Sequence, residues 1–252
     1  MKAFLNWLKK AWNFLTYTVQ CIRYYKSIQR TGADMSAGQL VDAIFHRWGG
    51  ILKPIQVPYE IRLFSELVEK NQPQTVLEIG TANGGTLFLF SRLADKNAHI
   101  ISIDLPMGLM RLYFFIRLLF FKSIPLSGQT LNLLRSNSQK LITKKKIEKI
   151  LNGKKIDLLY IDADHSYEGV KKDFELYSPL VTPGGIIVFH DIVHHPSGTT
   201  AHLAEVDRFW NEIKTQYHCV EIVENWNQWW AGIGILTKKH LNPNIPKCNK
   251  VI

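Results

Sequence analysis

Cysteines are few in this chain: Cys21, Cys219 and Cys248 are the three among 252 residues, and none forms a CxxC pair. A set so sparse and scattered argues against a disulfide framework and a cysteine-rich zinc site, and it indicates a reducing compartment. Long hydrophobic runs are also lacking, because no run reaches the roughly 18 uncharged apolar residues typical of a membrane span. A transmembrane helix is therefore not expected.

Acidic residues are outnumbered, with 21 Asp and Glu against 31 Lys and Arg, which gives a net charge of +10. This balance favours an anionic partner such as phosphate, nucleic acid or an acidic membrane surface. The basic residues are spread along the chain and no nucleic-acid-binding module is recognisable, so we expect no nucleic-acid partner. A hydrophobic content of 46% is typical of a globular protein and excludes a disordered chain.

The sequence has no internal repeat, but short apolar runs alternate with helical ones. We expect strands at 75–79, 99–103, 156–161 and 185–189, and helices at 59–70, 86–96, 141–151 and 167–181. This alternation predicts an α/β fold with a mostly parallel sheet and helices on both faces. Further runs at 220–224 and 232–237 predict an antiparallel pair at one edge of the sheet.

Two of the predicted strands end in residues suited to a nucleoside ligand. The first ends in Glu78-Ile-Gly80-Thr-Ala-Asn83-Gly84-Gly85, where glycines permit positive φ angles and a close approach of a ligand to the backbone. The spacing is GxxxGG, not the GxGxxG of dinucleotide-binding proteins. Asp104 ends the next strand and suits the two hydroxyls of a ribose. The alternatives are a purely structural turn and a helix N-cap at Asp104.

Titratable residues crowd the ends of the next two strands. Asp162, Asp164 and His165 follow one, and His190 and Asp191 follow the other. If these strands are neighbours, Asp162 and Asp191 face one cleft, where a cation is needed to offset their charges. Oxygen ligands suit Mg²⁺ or Mn²⁺, and the imidazole of His190 shifts the preference away from pure Mg²⁺. Alternatively, His190 is a core histidine and Asp164 or Ser166 caps a helix.

The runs VLEIGTANGG, IISIDLP and IDLLYIDADHSYEGVKKDFELYSPLVTPGGIIVFHDI resemble the class I S-adenosylmethionine-dependent methyltransferases. Within these, they are most similar to the group related to cephalosporin hydroxylase and to the macrolide-sugar and rhamnosyl O-methyltransferases. The resemblance implies a Rossmann-like, seven-stranded sheet with a reversed last strand. It also implies a metal bound by Asp162, His190 and Asp191, with His165 as the catalytic base. The implied cofactor-binding residues are Glu78, Gly80, Thr81, Gly84, Asp104, Asn137, Ser138 and Asp162.

The expected function is therefore methyl transfer from S-adenosylmethionine, assisted by Mg²⁺ or Mn²⁺, to a hydroxyl of a sugar, lipid-linked or natural-product acceptor. A non-catalytic scaffold is the alternative, because the segment usually placed near adenine reads Ser136-Asn137-Ser138-Gln139 and lacks the acidic residue of relatives. A nicotinamide-dependent oxidoreductase fits less well, since GxGxxG is absent.

We divide the chain into an N-terminal helical extension (1–54), a methyltransferase domain (55–240) and a polar tail (241–252). In the extension, apolar residues recur at helical spacing in one stripe. They are Phe4, Leu8, Ala11, Trp12, Leu15, Val19 and Ile22. This stripe and a second aromatic–basic stretch at 109–121 either pack internally, meet across a homodimer interface, or lie on a membrane surface. The expected location is the cytoplasm, or the inner face of the membrane if the last alternative holds.

Overall fold

The computed structural model describes residues 2–32, 34–105, 117–196, 204–238 and 249–251. Its strands form one sheet in the order β3-β2-β1-β4-β5-β7-β6-β8. They are β1 (Thr75–Ile79), β2 (His99–Asp104), β3 (Thr130–Arg135), β4 (Ile156–Ile161), β5 (Val181–His190), β6 (His218–Ile222), β7 (Ile233–Thr237) and β8 (Asn249–Val251). Among the described strands, only β7 runs antiparallel to both of its neighbours.

Helices cover both faces of the sheet. They are α1 (Lys2–Arg30), α2 (Ala37–His46), α3 (Pro58–Asn71), α4 (Gly85–Leu93), α5 (Leu141–Leu151), α6 (Tyr167–Tyr177) and α7 (Val206–Ile213). The first four pack on one face through buried residues such as Ile28, Leu40 and Phe88. The last three pack on the other through Ile147, Phe174 and Trp210. Strand residues alternate between these two cores, as the two-residue period of a strand requires.

The predicted mostly parallel sheet with a reversed strand is confirmed, with two differences. The sheet has an eighth strand, because Asn249–Val251 within the predicted tail pairs with β6. The strand β3 was not predicted from its residues, since it lies at the sheet edge and carries Asn132 and Arg135. An edge strand buries less of its surface than a central one, so it lacks the continuous apolar run that marks β1, β2 and β4.

The N-terminal region shares the core of the sheet. Helix α2 begins at a capping box in which Ser36 and Gln39 bond each other's backbone N–H groups, and its Leu40 packs in the same cluster as Val76 of β1. The Ser-x-x-Gln spacing is the sequence signal for this start. None of the described helices is long and apolar enough to cross a bilayer.

The cysteines of the described residues differ in state. Cys21 is a free buried thiol, whereas Cys219 in β6 is disulfide-bonded. One bridge is not the disulfide framework that the sparse cysteines argue against. It does not favour the reducing compartment that they indicate, since disulfides are rare there.

Candidate active site

The carboxyl ends of four adjacent strands meet at one edge of the sheet. Strands β2, β1, β4 and β5 are parallel neighbours, and their ladders continue past the strand ends. Gly80 donates its N–H to the Ile103 carbonyl at 2.8 Å, and Asp162 donates to the Ile79 carbonyl at 2.8 Å. The polar residues that follow these strands therefore lie on a rigid base, at the edge where open parallel sheets bind ligands.

Three side chains converge beyond β4 and β5. Ligating atoms of Asp162, His165 and Asp191 all lie within 4.8 Å of one another. His165 Nδ1 is 2.6 Å from Asp191 Oδ2, and His165 Nε2 is 4.0 Å from Asp162 Oδ1. The carboxylate of Asp191 is buried, while the imidazole of His165 is 41% exposed. We call these three residues the Asp–His–Asp group.

The turn after β4 positions His165. Ser166 caps α6, because its Oγ accepts the Gly169 N–H at 3.1 Å. Asp164 accepts hydrogen bonds from Ser166 and, at 2.7 Å, from the Gln139 side chain. Both residues therefore stabilise the turn, in agreement with the alternative that Asp164 or Ser166 serves to cap a helix. His165 lies between them.

The backbone at Asp191 is left-handed, with φ of +65°. Its Oδ1 accepts the N–H of Ala231 at 3.0 Å, which fixes the carboxylate from the β7 side. Burial alone would raise the pKa of Asp191, but the neighbouring His190, His165 and His195 hold this pKa well below its ordinary value. Asp191 is therefore an anion, as a metal ligand must be.

Two buried imidazoles beside Asp191 have no hydrogen-bond partner among the described residues. Both ring nitrogens of His190 and of His195 are unsatisfied, although each ring is more than nine-tenths buried. His190 Nδ1 lies 3.2 Å from Asp162 Oδ1 and 3.4 Å from Asp191 Oδ1, and His195 Nε2 lies 3.6 Å from Asp191 Oδ1. Buried polar atoms are normally satisfied. Unsatisfied imidazoles beside two carboxylates are the donor set of a divalent metal, so the residues present fit such an ion.

The predicted metal ligands Asp162, His190 and Asp191 are thus brought together, and the structure adds two imidazoles to them. His165, predicted as a base, lies close enough to both carboxylates to share a metal ion with them. His195 was not predicted. The signal for His195 is weak, since His194-His195 follows the strand end by only a few residues and one of the pair is exposed.

Gln56 and Tyr160 hold Asp162 from the side of α3. The Gln56 amide donates to Asp162 Oδ2 at 3.3 Å and also to the Tyr160 hydroxyl, and that hydroxyl lies 3.4 Å from the same oxygen. Tyr160 is fully buried within β4. Sequence reasoning missed both residues, because Gln56 lies in a loop more than 100 positions from its partners.

The glycine turn after β1 carries the predicted cofactor residues Gly80, Thr81 and Gly84. Gly84 has φ of +83° and begins α4, and a Cβ atom there would collide with the ring of Phe121. A Cβ atom at Gly80 would collide with the carbonyl of Asp162. Gly80 is therefore required first by the contact of β1 with β4, and not only by the approach of a ligand as the sequence suggested.

Glu78 lies buried beneath this turn. Its two oxygens accept hydrogen bonds from Thr86 Oγ1 at 2.5 Å and Ser102 Oγ at 2.6 Å, and Ser102 is also bonded to Thr81. Burial raises the pKa of Glu78 to about 8, although both hydroxyls oppose this shift. Glu78 is placed to support the turn from below through Thr81 and Thr86.

The unsubstituted protein is expected to lose stability as the pH rises from about 4.5 to 8, and Glu78→Gln is expected to abolish this loss. The unfolded carboxyl ionises near 4.5 and the folded one near 8. Between these values only the unfolded chain releases the proton, so the free energy of unfolding falls by up to about 1.4 kcal/mol per pH unit. Urea unfolding near pH 5 and pH 8 measures the slope, with exposed Glu175→Gln as control. An unchanged slope in Glu78→Gln would contradict this assignment.

Asp104 lies half-buried at the end of β2. Its Oδ1 accepts the N–H of Leu105 at 2.7 Å. Burial raises the pKa of Asp104, and the nearby charges of Arg117 and Arg135 oppose the shift. Since the glycine turn follows the adjacent strand, this carboxylate is placed where a ribose would lie beside the turn.

We expect Asp104→Asn to weaken binding of S-adenosylhomocysteine by about 1.5–3 kcal/mol, the value of a charge-assisted hydrogen bond. Titration calorimetry measures the affinity. The matched control is Asp95→Asn, because Asp95 also accepts a backbone N–H, that of Asn97 at 2.7 Å, but stands before the amino end of β2. Equal affinities of Asp104→Asn and the unsubstituted protein would remove Asp104 from the site.

Asn137 and Ser138 form the turn that follows β3. Asn137 Oδ1 accepts the N–H of Gln139 at 2.8 Å, and the Ser138 carbonyl accepts the Tyr177 hydroxyl at 2.7 Å. Both are therefore engaged in local structure at the same edge of the sheet as Asp104. Since Oδ1 of Asn137 is engaged by Gln139, its Nδ2 amide is the group that could bond an adenine ring.

Comparison with known proteins identifies the class of this site. The family model described as "Methyltransferase domain" matches residues 77–192, the segment from β1 to the residue after Asp191. Residues 77–192 form a methyltransferase domain. This match contains the glycine turn, Asp104 and the whole Asp–His–Asp group, so the predicted resemblance to class I methyltransferases is confirmed.

Solved methyltransferases share the fold of this domain. An O-methyltransferase from Bacillus cereus in complex with SAH has a TM-score of 0.57 at 15% identity, over 89% of this chain and 91% of its own. The O-methyltransferase TomG from Streptomyces achromogenes, solved with SAM, has a TM-score of 0.54 at 16% identity, over 86% and 95%. At these identities the likeness concerns the fold.

Two curated relatives are described as uncharacterised. One, from Sinorhizobium fredii, is 26% identical over 56% of this chain and 16% of its own length. The other, from Acanthamoeba polyphaga mimivirus, is 33% identical over 46% of this chain and 51% of its own length. The chain thus spans about half or less of the length of these relatives. The narrower similarity to sugar O-methyltransferases stays a prediction, as do the metal and the acceptor.

Proposed function

We propose that this protein is an S-adenosylmethionine-dependent, divalent-metal-assisted O-methyltransferase acting on a hydroxyl of a sugar, lipid-linked or natural-product acceptor. The observation that carries this proposal is the Asp–His–Asp group with the unsatisfied imidazoles of His190 and His195 beside it, beyond strand ends adjacent to the glycine turn and Asp104. A cofactor held by the turn and by Asp104 would lie beside a metal held by Asp162 and Asp191.

Each residue has a role that follows from its contacts. When bound, S-adenosylmethionine supplies the methyl group, and a divalent ion lowers the pKa of a bound hydroxyl. The main task of the protein is to hold the acceptor oxygen in line with that methyl group. His165 places Nδ1 on Asp191, which leaves Nε2 to accept the hydroxyl proton. The hydrogen bond that His165 Nδ1 donates to the Asp191 carboxylate raises the pKa of His165 and so makes it a better base.

Both carboxylates and the imidazoles of His190 and His195 would hold the metal. Carboxylate oxygens suit Mg²⁺ or Mn²⁺, and imidazole nitrogens favour the transition metal of the two. We therefore expect Mn²⁺ to bind more tightly than Mg²⁺.

An aromatic loop beside Asp191 supports a ring-shaped acceptor. Residues 223–232 connect β6 to β7 and expose Trp226, Trp229 and Trp230. The N–H of Ala231, the residue after Trp230, donates to the Asp191 carboxylate. The exposed tryptophans are therefore next to the Asp–His–Asp group. Exposed indole faces are suited to stack on sugar or aromatic rings.

Replacing His165 by glutamine is expected to slow methyl transfer by about 10²–10⁴-fold, the contribution of a general base. Binding of S-adenosylhomocysteine should be unchanged. The matched control is His194→Gln, because His194 also pairs with a carboxylate, Asp207 at 2.9 Å, but is 77% exposed outside the group. Full turnover by His165→Gln would remove the base assignment.

The experiment that tests the function combines calorimetry with a transfer assay. We expect S-adenosylmethionine to bind, Mn²⁺ to bind, and labelled methyl to pass to acceptors from a panel of hydroxylated sugars and phenols. Excess EDTA should stop transfer and added Mn²⁺ should restore it. Full transfer in EDTA would overturn the role of the metal.

A non-catalytic scaffold with this fold is the second candidate. It is favoured by the 136–139 segment, where the acidic residue of relatives is absent and Asn137 Oδ1 is engaged by Gln139. Failure of S-adenosylmethionine to bind in the calorimetric experiment would favour this scaffold over the enzyme.

A further inference from the structure

Helix α1 has an apolar stripe that is exposed on the part of the helix whose side chains the structure describes. Its last turns pack on the sheet core through Cys21 and Ile28, which are buried. On another side of the same helix Leu15, Val19 and Ile22 are 54–74% exposed. Their spacing of four and three residues places them in one stripe, and Phe4, Leu8 and Trp12 continue that spacing in the sequence.

The charge along α1 has one sign. The first 33 residues contain six Lys and Arg and no Asp or Glu. Arg23, Lys26 and Arg30 are exposed on the described part of the helix. The same holds for residues 105–124, which contain three basic residues and no acidic one. Much of the net charge of +10 therefore lies in these two segments.

Arg92 holds the two aromatic–basic segments together. Its guanidinium donates to the carbonyls of Ile28 at 2.9 Å and Thr31 at 2.6 Å, at the end of α1. It also donates to the carbonyl of Ile124 at 2.7 Å, at the end of the second segment. Leu119 in that segment is 53% exposed, and residues 109–116 lie outside the described residues.

We propose that α1 and the adjoining segment 117–124 form a face that docks on the surface of an anionic lipid bilayer. Helix α1 would lie in the plane of the interface, with its exposed stripe among the acyl chains and its basic residues at the headgroups. Since no described helix is apolar enough to cross a bilayer, the contact is peripheral. This docking face does not depend on the proposed methyl transfer.

The charge decides between a membrane and a second copy of the chain. Paired helices with an apolar seam normally carry complementary charges beside it. A second α1 would bring six more positive charges against the first six, whereas anionic headgroups neutralise them. The docking face also adjoins the candidate active site, because Phe121 lies against Gly84 in the glycine turn.

Vesicle flotation of the full chain tests the proposal. We expect the protein to float with phosphatidylcholine–phosphatidylglycerol vesicles, to float less at high salt, and to remain in solution with pure phosphatidylcholine. The double substitution Val19→Glu with Ile22→Glu should weaken partitioning by at least about 100-fold, because it removes two inserted side chains and adds two like charges to the headgroups.

The matched control is Ile142→Glu. Ile142 is 58% exposed on α5, which packs on the opposite face of the sheet, so its substitution should leave flotation unchanged. Absence of flotation at low salt, or equal loss in the control, would overturn the proposal. Sedimentation velocity tests whether the face binds a second copy of the chain instead. That conclusion would follow if the protein does not float, is a dimer in solution, and is dissociated by the double substitution but not by Ile142→Glu. No outcome requires methyl transfer, so failure here is separate from failure of the proposed function.

Discussion

Asp191→Asn is expected to abolish divalent-metal binding and to lower methyl transfer by about 10³-fold or more, while the protein stays folded. Asp191 is the carboxylate on which three imidazoles converge, and its anionic charge is the part that asparagine removes. Asparagine tolerates the left-handed backbone at φ of +65°, which alanine would not. Its Oδ1 also keeps the hydrogen bond from the Ala231 N–H.

The measurements are Mn²⁺ titration by calorimetry, a transfer assay and thermal unfolding. Asp207→Asn is the control, because Asp207 is also paired with a histidine but lies outside the Asp–His–Asp group. Native metal affinity in Asp191→Asn would show that the group does not hold the ion, and an equal loss in Asp207→Asn would show that the effect is not specific to the site.

Gly80→Ala is expected to destabilise the fold by more than about 4 kcal/mol, at the extreme of single substitutions. The backbone at Gly80 has φ of +99°, which alone disfavours any side chain. In addition, the new Cβ atom would lie well under 3.0 Å from the Asp162 carbonyl, and backbone atoms of two central strands have little room to move apart. The substitution would therefore separate β1 from β4 at the point where Asp162 is held.

Gly153→Ala isolates the effect of the contact. Gly153 has φ of +82°, but a Cβ atom there meets nothing within 4 Å. It should therefore cost only the strain of a left-handed alanine, about 1–2 kcal/mol. Urea unfolding of both variants measures the difference, and similar losses would mean that β1 and β4 adjust to the added atom.

The sequence predicts the centre of this fold better than its edges. Strands β1, β2, β4 and β5 are apolar runs because both of their faces are covered, and the residues that follow them could be assigned to one edge from the parallel topology alone. The sequence therefore predicts that Asp104, Asp162 and Asp191 lie at one edge of the sheet. Strand β3 was missed because an edge strand need not be apolar, and β8 because a three-residue strand has no periodicity.

Residues that hold the site, rather than line it, could not be predicted. Gln56 contacts Asp162 across 106 positions, and Glu60 bonds Gly232 across 172. Such pairs depend on how α3 packs against the sheet, which no local pattern records. His195 was missed for a related reason, since burial separates it from exposed His194 and burial of a loop residue is set by the whole fold.

Two buried carboxylates anchor the aromatic loop at both ends. Glu60 accepts the N–H groups of Glu224 at 3.0 Å and Gly232 at 2.8 Å, and Asp191 accepts that of Ala231. The tryptophans lie between these anchors and are exposed. Substitutions in the loop tip can therefore accumulate during evolution without displacing Asp191. Under the proposed function, acceptor preference is then free to diverge among descendants that keep one unchanged reaction centre.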